Sequence, residues 1–334
     1  MDNRGLLDLI ICRLPDLVIR DKIYLSETFE SEGDLIKSSK GDIEIILKHN
    51  LKEFWNIDEI RSIAEHDAKT AHVRGITWVS WRQAAYPPLL REIYDPPVIL
   101  FYRGALPNPE KPLVAIVGTR RPSPQAASAA FDIGRDLGRQ GLSVVSGLAL
   151  GIDAMAHRGN LDGGAPTFAI MGSGADDIYP RANRVLAQRI LENGGGLISE
   201  YPPGTKPFKW HFPARNRIIS GISRGALIVE APESSGALIT AAFAAEHSRD
   251  IWVSSVGADL AGIAENPPSR GSRYDRRGTA KLAENGSKII SGALDILAEW
   301  NIEVRNNYNE NNSQDRSGGK ALALKLARSF DIDL

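Results

Sequence analysis

From Leu113 onward the chain alternates short, unbroken apolar runs with longer amphipathic stretches. The apolar runs are LVAIVG (113–118), LSVVSG (142–147), TFAIMG (167–172), ALIVEA (226–231) and IWVSSVG (251–257). Such runs are too short for a buried helix and suit strands covered on both faces. Between them, residues 124–140, 152–161, 182–194, 214–222 and 237–247 place apolar residues at helical spacing. A short strand is expected at Leu197–Ser199. A short helix (279–285) and a strand (Lys288–Ile290) close the series. The alternation predicts an α/β fold over 113–300: an extended Rossmann-like, doubly wound, mostly parallel sheet with right-handed crossovers.

The rest of the chain follows other rules. Residues 1–75 predict a small helical domain: Leu6, Leu7, Leu9, Ile10 and Leu14 recur at helical spacing, as do Ile43, Ile46, Leu47, Leu51 and Trp55. Ser26 and Asp42 are its expected N-caps. Residues 76–112 are rich in aromatics and hold Pro87-Pro88 and Pro96-Pro97. Proline forces extended or turn backbone before it, so this segment reads as a connector with a strand at Val98–Tyr102. Residues 301–334 form a polar tail. Its first part, to residue 319, is Asn-rich and expected as a linker, and ALALKLARSF is expected as an isolated helix.

Composition removes several classes of function. No apolar run approaches the ~20 residues of a membrane span. The N-terminus lacks the charged, apolar, small-residue order of a signal peptide. A cytoplasmic protein without membrane partners is expected. Cys12 is the one cysteine, so neither an internal disulfide nor a cysteine zinc site is available. The net charge of −1 conceals an asymmetry. Residues 26–67 hold eleven acidic side chains against five basic ones, whereas residues 266–281 hold Arg270, Arg273, Arg276, Arg277 and Lys281 against Asp275 alone. Positive charge gathers late in the chain, where an anionic ligand is accommodated.

In open parallel sheets the ligand lies beyond the carboxyl ends of the strands. Gly118-Thr119-Arg120 ends the first strand, Ser146-Gly147 the second and Gly172-Ser173-Gly174 the third. Glu230 ends a later one, followed by Ser234-Ser235-Gly236. Small residues let a phosphate reach backbone N–H groups, and helix N-termini add partial positive charge. Arg120 adds a fixed cation. The stretch KPFKWHFPARNRIISGIS (206–223) contributes Lys206, Lys209, Arg215 and Arg217, interleaved with Phe208, Trp210 and Phe212. Cations with aromatics fit the phosphates and base faces of single-stranded nucleic acid. Alone, the stretch fits equally well a packed aromatic core with a solvated charged face.

Other constellations are weaker. There is no phosphate-loop motif and no G-x-G-x-x-G after the first strand, so dinucleotide binding loses its main support. His157 is expected as a packed or capping residue, with a structural contact to Asp153 one turn earlier. Asp176 and Asp177 read as solvated carboxylates in a turn. Glu230 is placed to orient Arg217 or a ligand hydroxyl. No histidine has a nucleophile at recognisable spacing.

In order, GTRRPSPQAA, VVSGLALGIDAMAH, GSGADDIYPRANRVL, ISEYPPGT, KWHFPARNRIISGIS and VEAPESSGALITAA resemble the DNA-processing protein A family (DprA, also called Smf), over roughly residues 85–300. The resemblance implies an extended Rossmann domain that binds single-stranded DNA and loads the RecA recombinase during natural transformation, without a catalytic reaction, metal or cofactor. It implies that Arg120 grips a phosphate and that Arg181 stands where the family usually has Lys, with Arg184 beside it. Lys209, Arg215 and Arg217 are then a basic rim, and Asn216, Ser235 and Gly236 a polar floor. Gly118, Thr119, Ser146, Gly147, Gly172 and Gly174 complete the implied site. A homodimer through the Rossmann domain is implied as well. The chain departs from the family in its long basic segment 258–278, in Ala280, and in a polar tail where a winged-helix domain is usual. A more distant resemblance, to nucleotide phosphoribohydrolases, offers an enzyme reading in which Arg120 and Glu230 act on a nucleoside monophosphate.

Overall fold

The structure, a computed structural model, describes residues 3–52, 55–259 and 275–304. The polar tail beyond residue 304 and most of the basic segment (260–274) lie outside the described residues, as do the linker and isolated helix expected there. Five helices open the chain: α1 (Asn3–Arg13), α2 (Ile19–Thr28), α3 (Glu32–Lys37), α4 (Lys40–Leu47) and α5 (Ile57–Val73). Their cores are Leu7, Leu9, Ile10 and Leu14 with Leu25, Leu35, Ile43, Ile60 and Ala64. Arg13 of α1 and Asp67 of α5 pair across the unit.

The expected caps differ. Ser26 lies inside α2, and its hydroxyl donates to the buried Asp8 carboxylate at 2.6 Å. Asp42 is the third residue of α4 in a capping box, and the N-cap is Ser39. Ser31 and Asn56 cap α3 and α5. Each supplies a short side-chain oxygen to backbone N–H groups that the first helical turn leaves unpaired.

The aromatic, proline-rich segment contributes β1 (Thr77–Ser80), α6 (Pro88–Arg91) and β2 (Ile99–Gly104). The α/β series follows: β3 (Leu113–Val117), α7 (Pro124–Arg139), β4 (Ser143–Ser146), α8 (Ile152–Asp162), β5 (Phe168–Ile170), α9 (Arg184–Glu192), β6 (Gly196–Ser199), α10 (His211–Gly221), β7 (Gly225–Ile228), α11 (Gly236–Glu246), β8 (Asp250–Ser254), α12 (Arg277–Glu284), β9 (Lys288–Ile290) and α13 (Ala293–Glu299). A 3-10 turn, Arg181–Asn183, leads into α9.

Among the described residues the sheet has nine strands in the order β1-β2-β6-β5-β4-β3-β7-β8-β9. From β6 to β9 all pairs are parallel, whereas β2 joins β6 antiparallel and β1 joins β2 antiparallel. The fold is the expected extended Rossmann-like α/β architecture. Its central strands are apolar at nearly every position because both faces are covered, the buried Ser143 and Ser146 of β4 being the exceptions. Val114, Ile116, Val144 and Leu227 pack under α7, α8 and α13, while Ala115, Val117, Val145 and Ile228 pack under α10 and α11. The opening helices pack on Ile99 and Phe101 of β2. Helices α7 and α8 approach so closely that a side chain on Gly159 would collide with the Phe131 carbonyl.

The chain order reverses at β3. It runs outward through β4, β5 and β6, then returns to place β7 on the other side of β3. The carboxyl ends of β3 and β7 therefore diverge into loops that leave a crevice, the usual ligand position in an open α/β sheet.

Candidate nucleic-acid interface

A cavity of about 1190 Å³ occupies that crevice. Gly118, Thr119 and Arg120, after β3, form one wall. Ser235 and Gly236, at the start of α11, form the other. Lys209, Phe212, Arg215 and Asn216, just before α10 and in its first two turns, form the floor and one end. A smaller annex of about 60 Å³ runs between Tyr179 and Phe212 to Gly147. Two of the four turns predicted at the strand ends thus face each other across the cavity, and a third touches the annex.

Backbone bonds hold the walls. The Thr119 N–H donates to the Glu230 carbonyl at 2.7 Å, and the Ile152 N–H to the Thr119 carbonyl at 3.2 Å. The Ser235 hydroxyl accepts from the Ala237 N–H and caps α11. The Asn216 amide donates to the Gly236 carbonyl at 3.0 Å, which ties α10 to α11.

The cations divide into two kinds. Arg120, Arg121 and Lys209 are exposed at the cavity, and no described carboxylate pairs with them. Arg215 is buried: its guanidinium donates to the carbonyls of Gly147 (2.7 Å) and Ile170, and to Asn216 Oδ1. Burial pulls its pKa down to about 10, with Asp153 opposing and Arg120 adding to the fall. The guanidinium lies over Gly147 where a side chain would stand, so Gly147 serves as its seat. Asp153 accepts the N–H groups of Gly147 and Ala149. Burial raises its pKa, and Arg215 pulls it back. Arg120 and Arg215 both lie against Phe212, at 5.8 and 5.9 Å from the ring centre. On the α11 wall, Arg277 is paired with Asp275 at 2.7 Å and stands near the exposed Glu233.

Several expected site residues lie elsewhere. Arg217 is buried on the other side of α10. It makes two bonds to Glu200 (2.6 and 2.9 Å) and one to Asp95 (2.8 Å). Burial lowers its pKa, but the two carboxylates outweigh that, and the net shift is upward. Arg217 is therefore an internal ion-pair centre rather than part of a rim. Ser146 is fully buried and donates to the Ile116 carbonyl. The third turn is a joint: the Phe212 ring fills the space beside Gly172, His211 bonds the Gly172 carbonyl, and Gly174 donates to Thr205. Arg181 and Arg184 are exposed on the turn entering α9, outside the cavity and one loop beyond Tyr179.

The remaining candidates are structural. Glu230 is fully buried, and both its oxygens accept from Ser123, from the N–H at 2.9 Å and the hydroxyl at 2.5 Å. Burial raises its pKa against those bonds. It orients neither Arg217 nor a ligand, and the phosphoribohydrolase reading loses its carboxylate. His157 is packed, as its position predicts, but its partner is Thr167 rather than Asp153. Asp176 pairs with Arg74 of the α5 end and accepts the Gly204 N–H, and Asp177 pairs with Lys206. These carboxylates clamp the loop in front of α10 rather than standing free in solvent.

The sequence reading does not single out Arg121 and Tyr179, which also line the cavity. Arg121 adjoins Arg120 in the same turn, so its signal was present. Tyr179 gave none.

The fold and this crevice define a Rossmann-class α/β protein with a cation-lined cleft at its topological switch point. The chain belongs to the DNA recombination-mediator protein A family, whose profile matches residues 77–301. It is 42% identical over 215 residues to the DNA processing protein DprA of Streptococcus pneumoniae, spanning 64% of this chain and 71% of that one. It is 30% identical over 309 residues to the protein Smf of Borreliella burgdorferi, spanning 92% of each. The X-ray structure of the pneumococcal protein superposes with a TM-score of 0.68 at 33% identity, covering 91% of this chain and 99% of that one. The Helicobacter pylori DprA structure, described for its single-stranded DNA binding mode, superposes at 0.56 with 29% identity, covering 67% and 95%. No helix among the described residues is long and apolar enough to cross a membrane.

Proposed function

We propose that this chain binds single-stranded DNA in the switch-point cavity, breaks no bond in it, and passes the strand to the RecA recombinase in the cytoplasm, working as a homodimer. The observation that carries the reading is the set of three exposed cations, Arg120, Arg121 and Lys209, with no described carboxylate partner, opposite the capped start of α11. Phosphates between these walls gain charge-assisted bonds and the helix dipole together. Buried Arg215 supports the site from below by its charge and by fixing Phe212 and Gly147.

The test is fluorescence anisotropy with single- and double-stranded oligonucleotides at two salt concentrations. Affinity for single strands falls steeply with salt, by a slope of about 0.7 for each phosphate contact. Arg120→Ala and Lys209→Ala each weaken binding across sequences and reduce that slope by about one contact. Salt-independent binding, or binding untouched by both changes, overturns the proposal. Faster growth of recombinase filaments on single strands already coated by a single-strand-binding protein tests the transfer step. Sedimentation of the free protein tests the dimer.

A further inference from the structure

The segment before α10 carries two large aromatic rings that the cavity does not use. Phe208 and Trp210 are 45% and 66% exposed, and they stack on each other nearly parallel, at 4.9 Å and 7°. His211, buried, stands edge-on to both, at 5.4 Å from Phe208 and 5.9 Å from Trp210. Tyr201 stacks in turn on the His211 ring at 3.8 Å. The exposed pair is thus braced from behind.

Single exposed apolar side chains are ordinary on a protein surface. Two stacked rings held outward by a third are not, because each forfeits burial that would stabilise the fold. Lys209 lies between them in sequence and faces the cavity, and Lys206 precedes them. A flat aromatic surface beside Lys209, which has no carboxylate partner among the described residues, suits a base whose own phosphates are held next door. It does not suit an apolar protein partner, which needs a wider uncharged surround.

We propose that Phe208 and Trp210 form a base-stacking platform on the rim of the cavity. The outer ring face would receive one nucleobase of the strand whose phosphates Arg120 and Lys209 hold. This rests on the DNA-binding reading above and adds a second recognition element to it. Stacking reads no base edge, so the platform adds affinity without sequence preference. It also separates single strands from duplex, whose bases have no free face.

Two probes of equal length and charge test it: oligo-dT, and an oligomer of abasic tetrahydrofuran residues. Wild-type protein binds oligo-dT more tightly. Trp210→Ala lowers oligo-dT affinity by about 5- to 150-fold, the range expected for one lost base stack. Affinity for the abasic oligomer stays as it was, and Trp210→Phe keeps most of the oligo-dT affinity. The ring is exposed, so the folded state tolerates these changes, which a melt confirms. The platform is overturned if Trp210→Ala leaves oligo-dT binding unchanged while Arg120→Ala weakens it, a result that spares the phosphate cavity. Equal weakening of both probes by Trp210→Ala also overturns it. So does a change in the sedimentation of the free protein, which would give the rings to a second copy of the chain. If neither probe binds wild-type protein, the DNA-binding reading fails and the platform with it.

Discussion

Arg120 and Arg217 are both expected from the sequence among the cations of one site, yet the structure gives them opposite duties, and Arg217→Ala separates these. The substitution removes a buried guanidinium with two bonds to Glu200 and one to Asp95. Breaking a fully buried pair from one side costs about 3–5 kcal/mol, because a charge is left without its partner. Here the Glu200 side chain keeps 24% and the Asp95 side chain 40% of its exposure. Water recovers part of that cost, leaving about 2–3 kcal/mol. For a chain of 334 residues, with an unfolding entropy of about 0.7 kcal/mol/K, that lowers Tm by about 3–4 °C. The assay pairs a thermal melt with an oligonucleotide titration well below both midpoints. The expected result is a lower melt with single-strand affinity within about twofold of wild type, since Arg217 lies outside the cavity. Adding Glu200→Leu to Arg217→Leu recovers part of the loss relative to the single change, because one stranded charge is gone. A variant that melts like wild type but loses DNA affinity would refute the internal-pair reading and return Arg217 to the binding surface.

Two further outcomes follow from the same geometry. Gly147→Ala puts a methyl carbon against the Arg215 guanidinium, 2.6 Å from Nη1, and displaces it from the Gly147 and Ile170 carbonyls. The expected cost is about 2–4 kcal/mol, with weaker single-strand binding beside it, and an unchanged urea midpoint would exclude that seat. His157 is buried, its Nδ1–H donates to Thr167 Oγ1, and the Thr167 hydroxyl donates to the Val144 carbonyl. Burial first, then Arg215 and Arg158, lower its pKa from 6.5 to about 3. The unfolded chain therefore takes up its proton first, and this residue's contribution is lost as pH falls from 6.5 toward 3. The slope reaches about 1.4 kcal/mol per pH unit. Urea titrations of His157→Gln show a flatter acid limb than wild type; parallel limbs would show that His157 is not held neutral.

Much of the fold was legible because a strand covered on both faces must be apolar at nearly every position, a buried hydroxyl such as Ser146 needing a carbonyl to bond. LVAIVG and its counterparts leave no polar face, and α7 and α9 between them carry one apolar stripe each. The antiparallel pairing of β1 and β2 was not legible, since prolines and aromatics mark extended chain without naming its neighbour. Ser26 and Ser39 are both serines near a helix. What separates them is the buried Asp8, eighteen positions before Ser26, which no local pattern shows.

At the site, glycine turns after strands marked where backbone could approach a ligand, and the β3 and β7 turns face each other across the cavity. The β5 turn looks the same in sequence but is filled by Phe212 and His211 from α10. Likewise a run of basic residues on one helix gives charge but not direction. Arg215 and Arg217 are two positions apart and so leave α10 on different sides. Their partners, Gly147, Ile170, Glu200 and Asp95, come from four separate segments.

The clamp between Arg74 and Asp176 has a consequence for any attempt to count phosphates. It crosses from the end of α5 to the loop after β5, whose Asp176 also holds the Gly204 N–H, and with Lys206–Asp177 it fixes the lip on which the aromatic pair stands. Arg74 is half exposed and Lys206 three-quarters exposed, so dissolved ions screen both pairs, the Lys206 pair more than the one to the nearly buried Asp176. On the proposed binding mode, raising ionic strength then acts twice, weakening the electrostatic hold on a bound strand and slackening the lip beside it. A contact number taken from such a titration would exceed the true one, and removing Asp176 and Asp177 together should bring the two into register.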